Sequence, residues 1–263
     1  MYLKSILFGL VEGLTSALPV SESGHRLLLE TLFEKSAPAL LPLGVALAII
    51  IVYHKTLWQM ILGVGGMFKK NFRWKKATRY QMMAVYALPA AIPYWILLYL
   101  QRSYGILEGI GFNLIGCGIL FILTAGLLYI GDHSMDRNWG ITDLKGGHVF
   151  KLALFQGASI LPGFSRTAFT LCMARNMGFD KTDAMEFSFI MAVPALLGGE
   201  LLTLHPAAIG PMGPWLAALA ATTLAAIGGL LAVKALIKRD RLGWLLVYCL
   251  IAGVAAIVLN FIL

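Results

Sequence analysis

The sequence predicts an all-α, polytopic membrane protein: six spanning helices plus two re-entrant helical hairpins in an inverted-topology repeat. Three observations carry this expectation. Of 263 residues, 59% are hydrophobic and 13% charged, with a mean hydropathy of +0.80. Soluble domains carry about 25% charged residues, so this chain needs lipid as part of its solvent. Six apolar segments reach the ~17–25 residues that a spanning helix requires. Two further apolar stretches are shorter, and each breaks at a proline followed by polar residues.

The first short stretch, 4–18, ends at Pro19. Lys4 and the apolar run 6–11 resemble a secretory signal, but Glu12 interrupts the run. Ser16-Ala17-Leu18-Pro19 is also a poor cleavage site, so the segment is expected to belong to the mature fold. The polar motif Pro19-Val20-Ser21-Glu22-Ser23-Gly24-His25 follows, and helix resumes over 27–33. Spans are predicted at 38–54, 80–101 and 108–131. The second short stretch, 148–161, stops at Pro162-Gly163 and resumes over 167–177, before spans at 184–204, 213–237 and 242–262. About 14 residues reach only ~20 Å, short of a ~30 Å hydrocarbon core, so each short stretch reads as a hairpin that enters and returns. Broken backbone is tolerated at that depth where protein buries it or where it lines a wet cavity.

Hairpin and three spans occur twice, and the hairpin motifs are alike: Glu12-Gly13-Leu14-Thr15-Ser16-Ala17-Leu18-Pro19 against Gln156-Gly157-Ala158-Ser159-Ile160-Leu161-Pro162. Residues 1–131 and 147–263 are thus two repeats within one membrane domain, 1–263. Three spans are odd in number, so the second repeat is expected upside down. The formal charge of +8 concentrates in loop 55–79 (Lys55, Lys69, Lys70, Arg73, Lys75, Lys76, Arg79) and in 234–241 (Lys234, Lys238, Arg239, Arg241). That distribution favours lipid head groups over nucleic acid and places both loops in the cytoplasm. Counting spans then puts 205–212 and both termini outside. The hairpins enter from opposite faces, with tips meeting near the midplane, a recurrent plan for substrate sites. Cys117, Cys172 and Cys249 show neither metal-ligand spacing nor a disulfide framework.

Glu12 lies inside an apolar helix, where a charge costs at least ~2.5–3.5 kcal/mol and is paired, cavity-facing or functional. A structural ion pair with Arg166 or His25 is the plain alternative. Ser21 or Ser23 can cap the following helix, and His25 is either a hydrogen-bonded structural histidine or a reactive one. Arg166 starts a helix whose first amides are expected free, which together make an anion site; an anchor at the head-group interface is its alternative. Glu200 reads as a cavity wall or an outward-snorkelling acid, and His54, His133, His148 and His205 as interfacial.

Gly9 to Thr15, Leu18 to Ser21 and Ser23-Gly24-His25 resemble the first motif of the bacterial undecaprenyl-pyrophosphate phosphatase family, of the bacitracin-resistance type. Gln156, Leu161-Pro162-Gly163 and Ser165-Arg166 resemble its second. Leu43 to Ala48, Phe187-Ser188-Phe189 and Ala192 to Ala195 extend the likeness over most of the chain. The resemblance implies a plasma-membrane hydrolase that recycles the C55 carrier lipid of cell-wall synthesis with a divalent cation, Mg²⁺ or Ca²⁺. It carries functional positions onto Glu12, His25, Ser165, Arg166 and Thr170. The chain departs from it at Ser16, where the family has a second glutamate, at Glu22, where it has a serine, and at Thr167-Ala168, where it has Ser-Gly.

Under this reading Arg166, Ser165, Thr167, Thr170 and Gln156 bind phosphate, while Glu12 and Glu22 hold the metal or activate water. His25 is nucleophile or acid–base, with Ser21 in reserve. The expected partners are a polyprenyl phosphate or pyrophosphate and membrane lipids, with a homodimer left open. The competing reading is a translocase that carries a lipid phosphate across the membrane on the same anion site without hydrolysis.

Overall fold

The computed structural model describes residues 2–34, 37–68, 73–107, 113–134, 137–202, 211–239 and 241–263. Among these residues there are eleven α-helices and no strand. The first hairpin is α1 (Tyr2–Ala17) and α2 (Glu22–Phe33), and the second is α7 (Gly146–Ala158) and α8 (Arg166–Met177). The long helices are α5 (Arg79–Tyr104), α6 (Leu114–Asp132), α9 (Lys181–Leu202), α10 (Met212–Lys238) and α11 (Gly243–Ile262). All five are long and apolar enough to cross a membrane. Lys69, Lys70, the start of the 108–131 span and most of 205–212, with His205, lie outside the described residues.

The first predicted span is the exception. Instead of one helix over 38–54, α3 (Leu41–Val52) has 12 residues, about 18 Å of rise. The chain then bends by 80° at Tyr53 into α4 (His54–Met67), so a sixth span exists only if the bent pair counts as one. The start of the predicted loop 55–79 is therefore helical. The basic residues marked a loop, but Trp58, Ile61, Leu62 and Val64 give the segment an apolar surface, all exposed in the monomer.

Lipid tails are as apolar as leucine, so close van der Waals contact and hydrogen bonds hold such helices together. Helix α1 approaches α10 so closely that a Cβ on Gly13 would overlap the backbone of Thr222 and Ala226. In the other half α7 lies on α5. Helix α3 packs on α10 and α9 on α5, while α3 meets α9 and α6 meets α11. Exchanging the halves exchanges like contacts. Leu88, Ile92, Ile96, Leu123, Leu224 and Ile251 face outward as an apolar belt. Met83, Leu152, Leu171, Phe187, Ile190 and Leu230 fill the core beneath the hairpin tips.

Candidate functional site

The two tips meet through a few buried polar contacts. Ser21 caps α2, its Oγ accepting the Gly24 N–H at 3.2 Å, and the same oxygen accepts the Gly163 N–H from the other hairpin at 3.1 Å. Ser21 has φ of +70°, a left-handed conformation that costs a non-glycine residue about 1–3 kcal/mol and clusters at functional sites. Gly163 has φ of +106°, and any Cβ there would strike the Cys117 carbonyl and Leu120, so the turn requires glycine.

Thr124, buried on α6, props this second turn. Its hydroxyl donates to the Gly163 carbonyl at 2.8 Å and accepts the Ser165 N–H at 3.3 Å. Ser165 in turn caps α8 by accepting the Ala168 N–H at 3.2 Å, and Phe164 N–H bonds the Leu161 carbonyl. The amides of residues 163, 164, 165 and 168 thus all have protein acceptors. This narrows the expected amide cradle to the first two amides of α8, those of Arg166 and Thr167, beside the Arg166 guanidinium.

Arg166 is 5% exposed. Its Nη2 donates to Ser16 Oγ at 3.1 Å and lies 3.6 Å from Glu22 Oε2. Its Nε and Nη1 are buried with no acceptor. A buried guanidinium with two unanswered donors costs several kcal/mol unless something anionic completes it. Ser16 and Glu22, two of the departures from the family pattern, thus touch the same guanidinium nitrogen.

Glu12 is buried and doubly paired with Arg26, through Nε to Oε2 at 3.1 Å and through Nη2 to Oε1. Its partner is therefore neither Arg166 nor His25. Arg26 escaped the sequence reading, though a signal existed: a carboxylate inside lipid calls for a cation, and Arg26 is the arginine on the next helix.

His25 turns elsewhere. Its Nδ1 lies 2.6 Å from the Ser21 carbonyl, which can only accept, so Nδ1 carries the proton. In a neutral ring Nε2 then accepts from the Tyr248 hydroxyl, also at 2.6 Å. Phe121 packs edge-on to the imidazole. These bonds tie α2 to α11, and His25 is not itself among the residues that line the cavity, although its neighbour Arg26 is.

Of the expected phosphate ligands, Thr167 Oγ1 donates to the Ser16 carbonyl and Thr170 Oγ1 to the Arg166 carbonyl, at 3.1 and 3.0 Å. Gln156 Nε2 donates to the Ala90 carbonyl, between the two prolines of α5, and its Oε1 is buried without a partner. The unanswered atom of Gln156 is an acceptor, which repels a phosphate oxygen. Thr167 thus joins α8 to α1, Thr170 bonds within α8 and Gln156 joins α7 to α5, and none of the three lines the cavity.

A cavity of about 270 Å³ opens beside the tips, its wall including Glu22, Ser23, Arg26, Tyr94, Arg102 and Glu200. Glu200 therefore belongs to the cavity, paired at 3.5 Å with Arg102. Arg166 and Glu12 stand one layer behind the wall, each reached through its partner, Glu22 or Arg26. Three arginine–glutamate pairs thus surround one space. Among the described residues no three His, Cys, Asp or Glu side chains gather as a metal cage. A hard cation such as Mg²⁺ takes one or two carboxylates and completes its shell with phosphate oxygens and water. Glu22, a carboxylate on the cavity wall, fits that smaller requirement.

Comparison with known proteins finds relatives over nearly the whole chain. The family described as bacitracin resistance protein BacA matches residues 5–255. The chain is 30% identical over 268 residues to a protein of Desulfosudis oleivorans named undecaprenyl-diphosphatase, covering 95% of this chain and 96% of that one. Proteins of the same name from Christiangramia forsetii and Bacteroides fragilis are 29% and 30% identical; the matches cover 97% and 98% of this chain, and 96% and 98% of theirs.

Proposed function

The chain belongs to the bacitracin resistance protein BacA family, and on that premise we propose that it is an undecaprenyl-diphosphatase, releasing inorganic phosphate from the carrier lipid diphosphate. The observation that carries this reading is Arg166, buried with Nε and Nη1 unanswered at the meeting point of the tips. An anion supplies the missing acceptors, and a phosphate matches the guanidinium fork with two parallel hydrogen bonds.

The terminal phosphate replaces Glu22 at Arg166, and the freed carboxylate swings into the cavity. Arg26, held by Glu12, takes the second phosphate. Glu22 accepts a proton from the water whose oxygen attacks the terminal phosphorus. The bond from that phosphorus to the bridging oxygen breaks, leaving undecaprenyl phosphate and inorganic phosphate. Arg26 and Arg166 stabilise charge that builds on the equatorial and leaving oxygens, the largest contribution such a site can make. Glu22 and the substrate's phosphate oxygens would hold Mg²⁺ or Ca²⁺, which supplies further charge neutralisation when bound. His25 is a positioning residue: through Ser21 and Tyr248 it keeps the first tip against α11.

The halves act as inverted repeats, which accounts for the exchange of contacts between them. The cavity opens among Glu30, Gln101, Arg102 and Glu200, at the helix ends opposite Lys55, Lys234 and Lys238. With the basic ends in the cytoplasm, the head group enters from outside while the prenyl tail stays in lipid.

Purified protein given undecaprenyl diphosphate and Mg²⁺ or Ca²⁺ should release phosphate, more readily than from a shorter phospholipid phosphate, and R166A should abolish release. No release across metals and substrates would sink the proposal, and lipid movement across liposomes without hydrolysis would favour translocation.

A further inference from the structure

A second cavity, of about 480 Å³, lies at the bend between α3 and α4, where α9 begins and α10 ends. Helix α9 contributes to both cavities, through Glu186 here and Glu200 beside the tips. Fourteen residues separate them (200 − 186), about 21 Å along the helix, so this is a different place from the candidate active site.

Its wall carries Lys55, Lys234 and Lys238 against the carboxylate of Glu186. That carboxylate is already engaged: Thr56 Oγ1 donates to Oε1 at 2.6 Å and Arg79 Nη2 to Oε2 at 2.7 Å. Arg79 also bonds Asp183 at 2.8 Å. Among the described residues none of the three lysines forms an ion pair. Lys234 instead rests its ammonium 3.9 Å from the Tyr53 ring centroid. Tyr53 is 6% exposed, and its hydroxyl is a buried donor with no partner. A surplus of cations beside an orphaned hydroxyl calls for an anion with several acceptor oxygens.

The bend also says where the rest of that anion lies. Helix α4 leaves the cavity carrying Trp58, Ile61, Leu62 and Val64, all exposed, a surface suited to acyl chains at the membrane interface. We propose that this cavity binds the phosphate head group of an anionic phospholipid, with Lys234, Lys238 and Tyr53 on the phosphate and the acyl chains along α4. Basic pockets between membrane helices bind such head groups by the same balance of charge and depth.

The test uses delipidated protein in mild detergent, titrated with short-chain phosphatidylglycerol, short-chain phosphatidylcholine or inorganic phosphate. Thermal midpoint and native mass spectrometry read stabilisation and bound lipid. Phosphatidylglycerol should bind and stabilise where phosphatidylcholine and inorganic phosphate do not. K234Q with K238Q should weaken it about tenfold or more, and Y53F roughly threefold. R166Q should leave it unchanged, which separates this site from the diphosphatase reading. Equal protection by inorganic phosphate or by phosphatidylcholine would overturn the lipid assignment. Native-like phosphatidylglycerol binding by the double lysine variant, with its lipid-free midpoint intact, would overturn the site.

Discussion

Replacing Thr124 by valine keeps the shape of a fully buried side chain but removes its only polar atom. The lost hydroxyl strands two buried groups of the second tip, the Gly163 carbonyl at 2.8 Å and the Ser165 N–H at 3.3 Å. Each stranded group costs about 1–3 kcal/mol, and the longer bond belongs at the low end, so the pair amounts to roughly 2–4 kcal/mol. For a chain of this length that lowers the thermal midpoint by on the order of 5–10 °C. The effect also reaches function, because these two bonds hold the turn that delivers Arg166. Phosphate release should fall by more than the folded fraction does, about tenfold or more at a temperature where the variant is folded. Thr124→Ser restores the hydroxyl and should recover most of both properties. A valine variant that melts and hydrolyses like the native protein would show that the hydroxyl does not hold the turn. One that melts early yet hydrolyses normally would break the link from turn to Arg166.

Further outcomes test the arginine–glutamate arrangement and the His25–Tyr248 bond. Glu22→Ser should lower phosphate release by about 100-fold or more, and Ser16→Glu added to it should restore much of the loss, because both positions reach Arg166 Nη2. Arg26→Gln removes a charge-assisted contact worth about 1.5–3 kcal/mol, so KM for the lipid diphosphate should rise roughly tenfold or more, with a smaller change in kcat. Because this strands Glu12, the E12Q/R26Q double variant should be the more stable of the two in thermal unfolding. Tyr248→Phe deletes the bond to His25 Nε2 and should cost roughly two- to tenfold in kcat/KM without altering metal dependence.

The length and hydropathy of the chain determined by themselves that it is an all-α membrane protein, because apolar length and proline breaks are local properties. Five of the predicted spans coincide with the five long helices, and each polar motif spans the turn between two short helices and the first turn of the second. Local pattern also set apart Glu12 and Arg166, since any ionisable residue in such surroundings needs a partner. It could not name those partners. Arg26 reaches Glu12 across 14 residues and Ser16 reaches Arg166 across 150, distances bridged only once helices stand side by side. The Gly163 and Ser165 amides find their acceptors far along the chain, in Ser21 at α2's cap and Thr124 on α6. The bend at Tyr53 was hidden in a continuous apolar run, and it decides where the second cavity forms. Tertiary structure chose the partners, and with them which donors an anion can still find.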